Sequence, residues 1–269
     1  MSDRFPLSLH HLTALDATPA QLIELARDNA CTHVCLFTYV PEAARGAFPM
    51  VVPADVADLR KVITAAGVTV CNLEVFPLDG SNDVAGFASA LDTGAALGAT
   101  RATAHIHDVA DEDEAMARFA TFCDMASDHG ITAGLEFNAF SAVNDIESAA
   151  RIVRGAGRAN GQLVCDALHL FRNGGTVDAV AAQADIIGYA QFCDGPMELD
   201  RADWWREAVG TREMPGRGEF PLRELATALQ DGTVIEVEVP RKAELKQGIP
   251  ASERVRAAVE AVRSVLDPG

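Results

Sequence analysis

The amino-acid sequence predicts an α/β fold, a (β/α)8 barrel formed by residues 1–269 as a single domain. Apolar runs of strand length alternate with segments of helical periodicity along the whole chain. This alternation is typical of βαβ units and a parallel sheet, and eight such units fit a chain of 269 residues. The segment after the first predicted strand has no glycine-rich phosphate-binding motif, which disfavours the alternative of an open doubly wound sheet.

Each predicted strand is a short apolar run, and apolar residues recur with helical spacing in the segments between the strands. The eight predicted strands are Phe5–Leu12, His33–Val40, Val68–Leu78, Arg101–His107, Thr132–Phe140, Gln162–His169, Ile186–Asp194 and Thr233–Pro240. The eight predicted helices are Ala20–Asn29, Pro53–Ala66, Asp83–Leu97, Asp111–Ser127, Asn144–Gly155, Thr176–Ala184, Pro221–Gln230 and Ala251–Leu266. One long irregular stretch is predicted at Gly195–Glu219, and loops of that length are usually functional.

The composition excludes several classes of protein. Hydrophobic residues make up 49% of the chain and charged residues 23%, which is a globular composition. The 22 basic and 39 acidic residues give a formal net charge of −17, so the chain lacks the cationic surface that nucleic acids and anionic membranes require. No apolar run approaches the ~20 residues of a membrane helix, and the N-terminal residues do not follow the order of a signal peptide. We therefore expect a cytoplasmic protein that binds neither nucleic acid nor membrane.

Four polar residues stand inside the apolar runs of the last four predicted strands. They are Glu136 in GLEFN, Asp166 in LVCDALH, Gln191 in YAQFCD and Glu238 in IEVEVP. Active-site residues of such barrels lie at the carboxyl ends of strands, where converging carboxylates would repel one another without a cation. Oxygen ligands favour Mg²⁺ or Mn²⁺, with Co²⁺ as a substitute. The hypothesis of a metal site fails if these oxygens point apart or if an arginine or lysine head group fills their meeting place.

The alternative is that these residues are separate polar groups, each satisfied by its own ion pair or hydrogen bonds. Glu236 also competes with Glu238, because residues two apart share a strand face. We prefer Glu238, which lies nearer the carboxyl end of the strand, and expect Glu236 to be a deeper polar partner.

Further polar residues near strand ends are candidates for substrate binding. His105 and His107 share a face of the fourth strand, Glu74 lies on the third, and His10 is a further candidate on the first. For Glu74 the alternative is a structural salt bridge.

The segment Gly195–Glu219 contains two tryptophans and several arginines, which suits a lid over a polar substrate. Arg212 is the residue of this segment that we expect to contact the substrate, and the alternative is a surface loop packed on the top of the barrel.

The ordered set of motifs on the last four strands resembles the xylose isomerase-like TIM barrels, the sugar phosphate isomerase/epimerase superfamily. The resemblance covers nearly the whole chain and is firmest from Gly134 to Pro240. It implies that Glu136, Asp166, Gln191 and Glu238 are the metal ligands.

Many members of that superfamily have histidine at the position of Gln191, and glutamine there resembles the hydroxypyruvate isomerase and 3-dehydroshikimate dehydratase branches. The Asp-x-x-His pattern that begins at Asp166 implies that His169 contacts a substrate hydroxyl or carbonyl.

The resemblance implies a divalent-metal-dependent isomerase or epimerase that abstracts a proton α to a carbonyl of a sugar, keto-polyol or small hydroxy-carbonyl compound. Glu136 and Glu238 would lie on opposite sides of the metal, one removing the proton and the other returning it. Two alternatives stay open: a lyase resembling 3-dehydroshikimate dehydratase, and a barrel that binds a sugar or a protein without catalysis. A homodimer is compatible with the resemblance, because barrels of this kind often pair.

Overall fold

The computed structural model describes residues 4–267, and it confirms the predicted fold class. In this part of the chain, nine parallel strands form a nearly closed barrel that is surrounded by helices. The first three residues of the N-terminal segment and the last two residues of the predicted domain lie outside the described residues. Among residues 4–267, no helix combines the length and the hydropathy that crossing a membrane requires.

The strands and helices alternate as the periodicity predicts. The strands are β1 (Leu7–His10), β2 (His33–Phe37), β3 (Thr69–Glu74), β4 (Phe76–Pro77), β5 (Arg101–His105), β6 (Thr132–Glu136), β7 (Gly161–Asp166), β8 (Ile187–Phe192) and β9 (Val234–Val237). The helices are α1 (Pro19–Asp28), α2 (Val56–Ala66), α3 (Ala88–Ala96), α4 (Glu112–Asp128), α5 (Ile146–Ala156), α6 (Ala167–Arg172), α7 (Val177–Ala181), α8 (Trp204–Gly210), α9 (Leu222–Ala228), α10 (Lys242–Lys246) and α11 (Ala251–Leu266).

The third predicted strand, Val68–Leu78, is divided in two, which corrects the expected number of strands. β3 pairs with β2, β4 pairs with β5, and the N–H of Val75 between them donates to the carbonyl of Tyr39. The sheet order is β3-β2-β1-β9-β8-β7-β6-β5-β4, so its two ends are consecutive pieces of one chain segment. The barrel therefore has the eight positions that the sequence predicts.

The end of the sixth predicted strand is also corrected. β7 ends at Asp166, whose side chain accepts a hydrogen bond from the N–H of Leu168 and caps α6. His169 consequently lies on a helix, one turn beyond the strand. A short buried helix reads as a continuation of an apolar strand, because periodicity cannot separate the two in so few residues.

The sequence predicts that the segment Gly195–Glu219 is irregular. The structure corrects this, because the segment contains a 3-10 turn at Arg201–Asp203 followed by α8. The carboxylate of Asp194 holds both ends of the segment by accepting from the N–H groups of Gly195, Gly216 and Phe220. This segment is thus fixed to the end of β8 by hydrogen bonds.

The main hydrophobic core lies between the strands and the helices, whereas much of the barrel interior is polar. Strand residues alternate between the two sides, so Leu9 and Leu135 pack in the core while Ser8 and Glu136 belong to the polar interior. This alternation sends the polar residues of β6 to β9 towards one another, as the sequence predicts.

Candidate active site

The polar residues predicted at the ends of the last four strands are brought to one end of the barrel. Glu136 ends β6, Asp166 ends β7, Gln191 is in β8, and Glu238 directly follows β9. All four side chains are buried. Glu136, Gln191 and Glu238 line a cavity of about 240 Å³, and Asp166 lies behind it against Arg212. The cavity has room for a small molecule.

Arg212 lies between two of the predicted metal ligands. Its Nη1 is 2.8 Å from Asp166 Oδ2, its Nη2 is 2.7 Å from Glu238 Oε1, and its Nε donates to the carbonyl of Ala208. Burial raises the pKa of Asp166, but the attraction of Arg212 and His169 outweighs burial, so this pKa is lowered. Arg212 is thus a buried counter-ion of Asp166 and Glu238 that also lines the cavity, and its predicted contact with the substrate stays a prediction.

Gln191 is held from below by two further carboxylates. Its Nε2 donates to Glu74 Oε1 at 3.1 Å and to Glu236 Oε2 at 3.3 Å. Its Oε1 is buried without a hydrogen-bond partner. The amide therefore offers an oxygen, and not its nitrogen, as a free ligand.

Glu136 is flanked by two histidines. Its Oε2 is 2.9 Å from His105 Nε2, and its Oε1 is 3.7 Å from His169 Nε2. Burial, together with the charges of Asp166 and Glu74, raises the pKa of Glu136 well above its ordinary value. Ligand atoms of Glu136, Asp166 and His169 lie within 4.8 Å of one another, a spacing that a single cation can bridge.

The guanidinium of Arg212 fills the space between Asp166 and Glu238, which is one of the conditions under which the hypothesis of a four-ligand metal site fails for these two residues. The carboxyl and amide oxygens that stay unpartnered are of the kind that a hard divalent cation binds. The arginine binds one oxygen of Glu238 and leaves Glu238 Oε2 buried without a partner, as is Gln191 Oε1. Arg212 contacts two carboxyl groups, those of Asp166 and Glu238, whereas Glu136 contacts the rings of His105 and His169. Burial is the main reason that the pKa of Glu238 is raised well above its ordinary value, and a cation would remove that penalty.

His10 has a more central position than the sequence analysis gave it. Its Nε2 is 2.7 Å from Glu74 Oε2, and its ring is completely buried. Burial lowers the pKa of His10, but Glu74, Glu236 and Glu238 together raise it to about 10. The salt-bridge alternative for Glu74 is therefore present. The sequence signal for the inward position of His10 is the alternation of polar residues with leucines in β1. We used the same kind of signal for the last four strands.

Glu236 is the deeper partner that the sequence analysis expects. Its Oε1 accepts from Ser8 Oγ at 3.0 Å, and its Oε2 accepts from Gln191. Glu236 belongs to a buried layer with His10 and Glu74, and of these three Glu74 also lines the cavity. The carboxylates of Glu74 and Glu236 fix the orientation of the Gln191 amide.

Of the histidines predicted to bind substrate, His105, His107 and His169 line the cavity, whereas His10 does not. His107 is exposed and lies 3.1 Å from Ser141 Oγ, whereas His105 and His169 are more deeply placed. Burial lowers the pKa of His169 to about 4, so the ring is neutral at pH 7. Its Nδ1 accepts from the N–H of Ala139, which leaves the proton on Nε2, and Nε2 lies 3.2 Å from Asn138 Nδ2 and 3.7 Å from Glu136 Oε1.

Comparison with known proteins gives the family and the fold of the chain. The family model described as "Xylose isomerase-like TIM barrel" matches residues 23–265. Among curated proteins, none matches the sequence. A structure of the IolI protein with a bound zinc atom is similar, with a TM-score of 0.78 and 19% identity over 97% of this chain and 98% of that chain.

Two further solved structures have the same fold. A xylose isomerase domain-containing protein from Salmonella typhimurium has a TM-score of 0.81 and 12% identity over 99% of both chains. D-psicose 3-epimerase from Clostridium cellulolyticum, solved with D-tagatose, has a TM-score of 0.73 and 14% identity over 98% of this chain and 100% of that chain. Since the family model covers most of the sequence, the chain belongs to the xylose isomerase-like TIM barrel family.

Proposed function

We propose that the protein is a divalent-metal-dependent isomerase or epimerase that transfers a proton at the carbon α to a carbonyl. The observation that carries the proposal is the pair Glu136 and Glu238, two buried carboxyl groups that line one cavity. They come from β6 and β9, which are separated by β7 and β8 in the barrel. A substrate between them would have a carboxyl group on each side. The similarity to IolI and to the psicose epimerases supports this kind of reaction.

Glu136, Asp166, Gln191 and Glu238 would hold the cation, with Mn²⁺, Mg²⁺ and Co²⁺ as the candidates. A dication supplies polarisation of a carbonyl oxygen, which acidifies the adjacent C–H group. The protein's own part is proton transfer and orientation. Glu238 Oε2, which has no hydrogen-bond partner, is available to one face of the substrate, and Glu136 is available to the other.

The proposed reaction divides the roles between the two glutamates, because one carboxyl group has to accept a proton while the other holds one to return. Without a cation, burial raises the pKa of both groups above the ordinary value. His169 would donate from Nε2 to a substrate hydroxyl or carbonyl, and His105 would steady Glu136. The expected cytoplasmic location and pairing into a homodimer stay predictions.

The test is proton exchange in heavy water. The protein is loaded with Mn²⁺ and incubated with keto-sugars, inososes and 3-dehydroshikimate, and loss of the α-proton signal is followed by NMR. We expect exchange that depends on the metal and falls about 10²–10⁴-fold in Glu136→Gln and in Glu238→Gln. Glu253→Gln, at an exposed glutamate of α11, is the matched control and should exchange at the parent rate.

Circular dichroism of each variant shows whether the fold is retained. Near-parent exchange by both site variants would refute the assignment of the glutamates. An ultraviolet-absorbing unsaturated product would indicate the lyase alternative, because such an enzyme abstracts the same proton and then expels a β-hydroxyl group.

A further inference from the structure

The cavity has two chemically different parts. The polar end is formed by groups at or just beyond the strand ends, among them Glu136, His169, Gln191 and Glu238. More than half of the residues that line the cavity are apolar, and most of these lie on the loops and helix beyond the strands. A substrate that fills the cavity therefore has its reacting carbonyl in a polar environment and the rest of its skeleton among carbon atoms.

One apolar wall follows β2. Phe37 and Phe48 pack together with ring centroids 5.1 Å apart, and Val40, Pro41 and Ala44 extend the same wall. None of these side chains carries a hydrogen-bonding group. A hydroxyl group placed against this wall would exchange its water partners for none, which disfavours its binding.

A second apolar wall follows β6 and β8. Phe140 and Trp205 meet edge to face with centroids 5.3 Å apart, and Ala208 and Val209 continue the wall along α8. In the strand order, β2 lies across the barrel from β7, which β6 and β8 flank. The two walls consequently stand on opposite sides of the barrel mouth and line the same cavity.

The cavity also has no spare cation for an anionic group. Among the described residues that line it, Arg212 is the only arginine and there is no lysine. Both terminal nitrogens of Arg212 are already bound, one by Asp166 and the other by Glu238. A phosphate group would meet carboxylates and carbon atoms, with no guanidinium or ammonium free to neutralise it.

We propose that the substrate is an unphosphorylated α-hydroxycarbonyl compound whose skeleton continues into an apolar ring or alkyl chain, and not a fully hydroxylated sugar or a sugar phosphate. This inference rests on the proposed function, because the hydroxycarbonyl end is assigned to the polar end of the cavity. The inference adds the chemistry of the far end of the substrate, which lies between the apolar walls.

The test compares open-chain ketones that share a hydroxymethyl ketone end. The probes are 1-hydroxy-4-phenylbutan-2-one, 1-hydroxybutan-2-one, erythrulose and erythrulose 4-phosphate, each incubated with the Mn²⁺-loaded protein in heavy water. The measured quantity is kcat/KM for deuterium exchange of the hydroxymethyl protons. We expect 1-hydroxy-4-phenylbutan-2-one to exceed erythrulose by about 10- to 100-fold, the range that a small change in an apolar pocket produces. The phosphate should be the poorest probe.

Two variants locate the preference in the walls. Trp205→Ala and Phe48→Ala should lower kcat/KM for the phenyl probe about 10-fold, mainly through KM, and should change erythrulose exchange less than about 2-fold. Met197→Ala is the matched control, since Met197 is an exposed apolar residue of the same segment as Trp205 but does not line the cavity. Met197→Ala should leave kcat/KM unchanged for all four probes.

The outcomes separate the two proposals. If erythrulose or its phosphate is exchanged best, the inference about the apolar substrate is wrong while metal-dependent proton abstraction stands. If the phenyl probe is best but neither wall variant affects it, the assigned walls are wrong. If no probe and no compound of the wider panel exchanges with any dication, the proposed function fails, and this inference fails with it.

Discussion

His11 shows how the burial of a single ring couples stability to pH. The ring is stacked on Phe37 with centroids 6.0 Å apart, Nε2 donates to the carbonyl of Ala17, and Nδ1 has no hydrogen-bond partner. Burial lowers the pKa of His11 from 6.5 to about 4. The folded protein therefore keeps this ring neutral at pH values where the unfolded chain already protonates it.

We predict that acid destabilises the protein partly through His11. Because the folded pKa is the lower one, its contribution is complete above pH 6.5 and is lost as the pH falls to about 4. The pKa difference corresponds to about 3 kcal/mol at most. His11→Gln keeps a donor for Ala17 and cannot titrate, so urea unfolding should show a smaller loss of free energy between pH 7 and pH 4.

The control for this prediction is His129→Gln, at a partly exposed histidine that follows α4. It should leave the slope of stability against pH nearly as in the parent. Identical slopes for His11→Gln and the parent would contradict the argument. Burial also lowers the pKa of His169 to about 4, so the stability of either variant still decreases in acid.

At the scale of elements, α8 depends on a buried ion pair. Arg172 of α6 contacts Glu207 of α8 through two nitrogens, each 2.6 Å from a carboxylate oxygen, and its guanidinium lies over the ring of Phe220. Both side chains are almost completely buried. α8 in turn carries Trp205 into the cavity wall, and the carbonyl of Ala208 holds Arg212.

We predict that breaking this pair unfolds or displaces α8. Removing one partner leaves a buried charge alone, which costs about 3–5 kcal/mol. Arg172→Met should show this loss in urea unfolding, and the double variant Arg172→Met with Glu207→Leu should recover much of it. The exposed pair Arg154–Asp185 is the control, and Arg154→Met should cost less than about 1 kcal/mol. A loss of similar size in both single variants would contradict the role assigned to burial.

The strands and helices also show which parts of the fold could be predicted from the sequence. The strand predicted at Thr132–Phe140 from its apolar run begins at Thr132 as predicted but ends at Glu136. Ala251–Leu266 was found to the residue because its apolar stripe has helical period. The helix at Trp204–Gly210 was missed, since its tryptophans, charges and glycine give no clear period. The contact of Arg212 with Asp166 joins residues 46 apart in the chain, and no local pattern encodes such a pair.

At the scale of the whole molecule, the excess of carboxylates at one end of the barrel predicts stabilisation by a dication. A ligand at 100 times its Kd stabilises the folded state by about 2.7 kcal/mol, and each kcal/mol raises Tm by about 2–4 °C in a protein of this size. We expect Mn²⁺ to raise Tm of the EDTA-treated protein by several degrees. Glu238→Gln should reduce this shift, whereas Glu253→Gln should not.

This measurement does not depend on any substrate. Unchanged Tm with Mn²⁺, Mg²⁺ and Co²⁺ would mean that Arg212 alone balances the carboxylates, and the metal site would then be refuted. With a net charge of −17, the protein also binds cations weakly over its acidic surface, and this binding raises Tm slightly. The difference between the two glutamate variants removes that contribution.

Most of the apolar walls lie in the segments after β2 and β8, whereas Glu136, Gln191 and Glu238 lie at the strand ends, and only Arg212 shares the segment after β8 with a wall. Evolution or an engineer could therefore exchange these two segments between homologues, provided that Arg212 is kept, and leave the residues that do the chemistry in place. Such chimaeras should inherit their turnover mechanism from the barrel scaffold and their choice of compound from the donor of the segments.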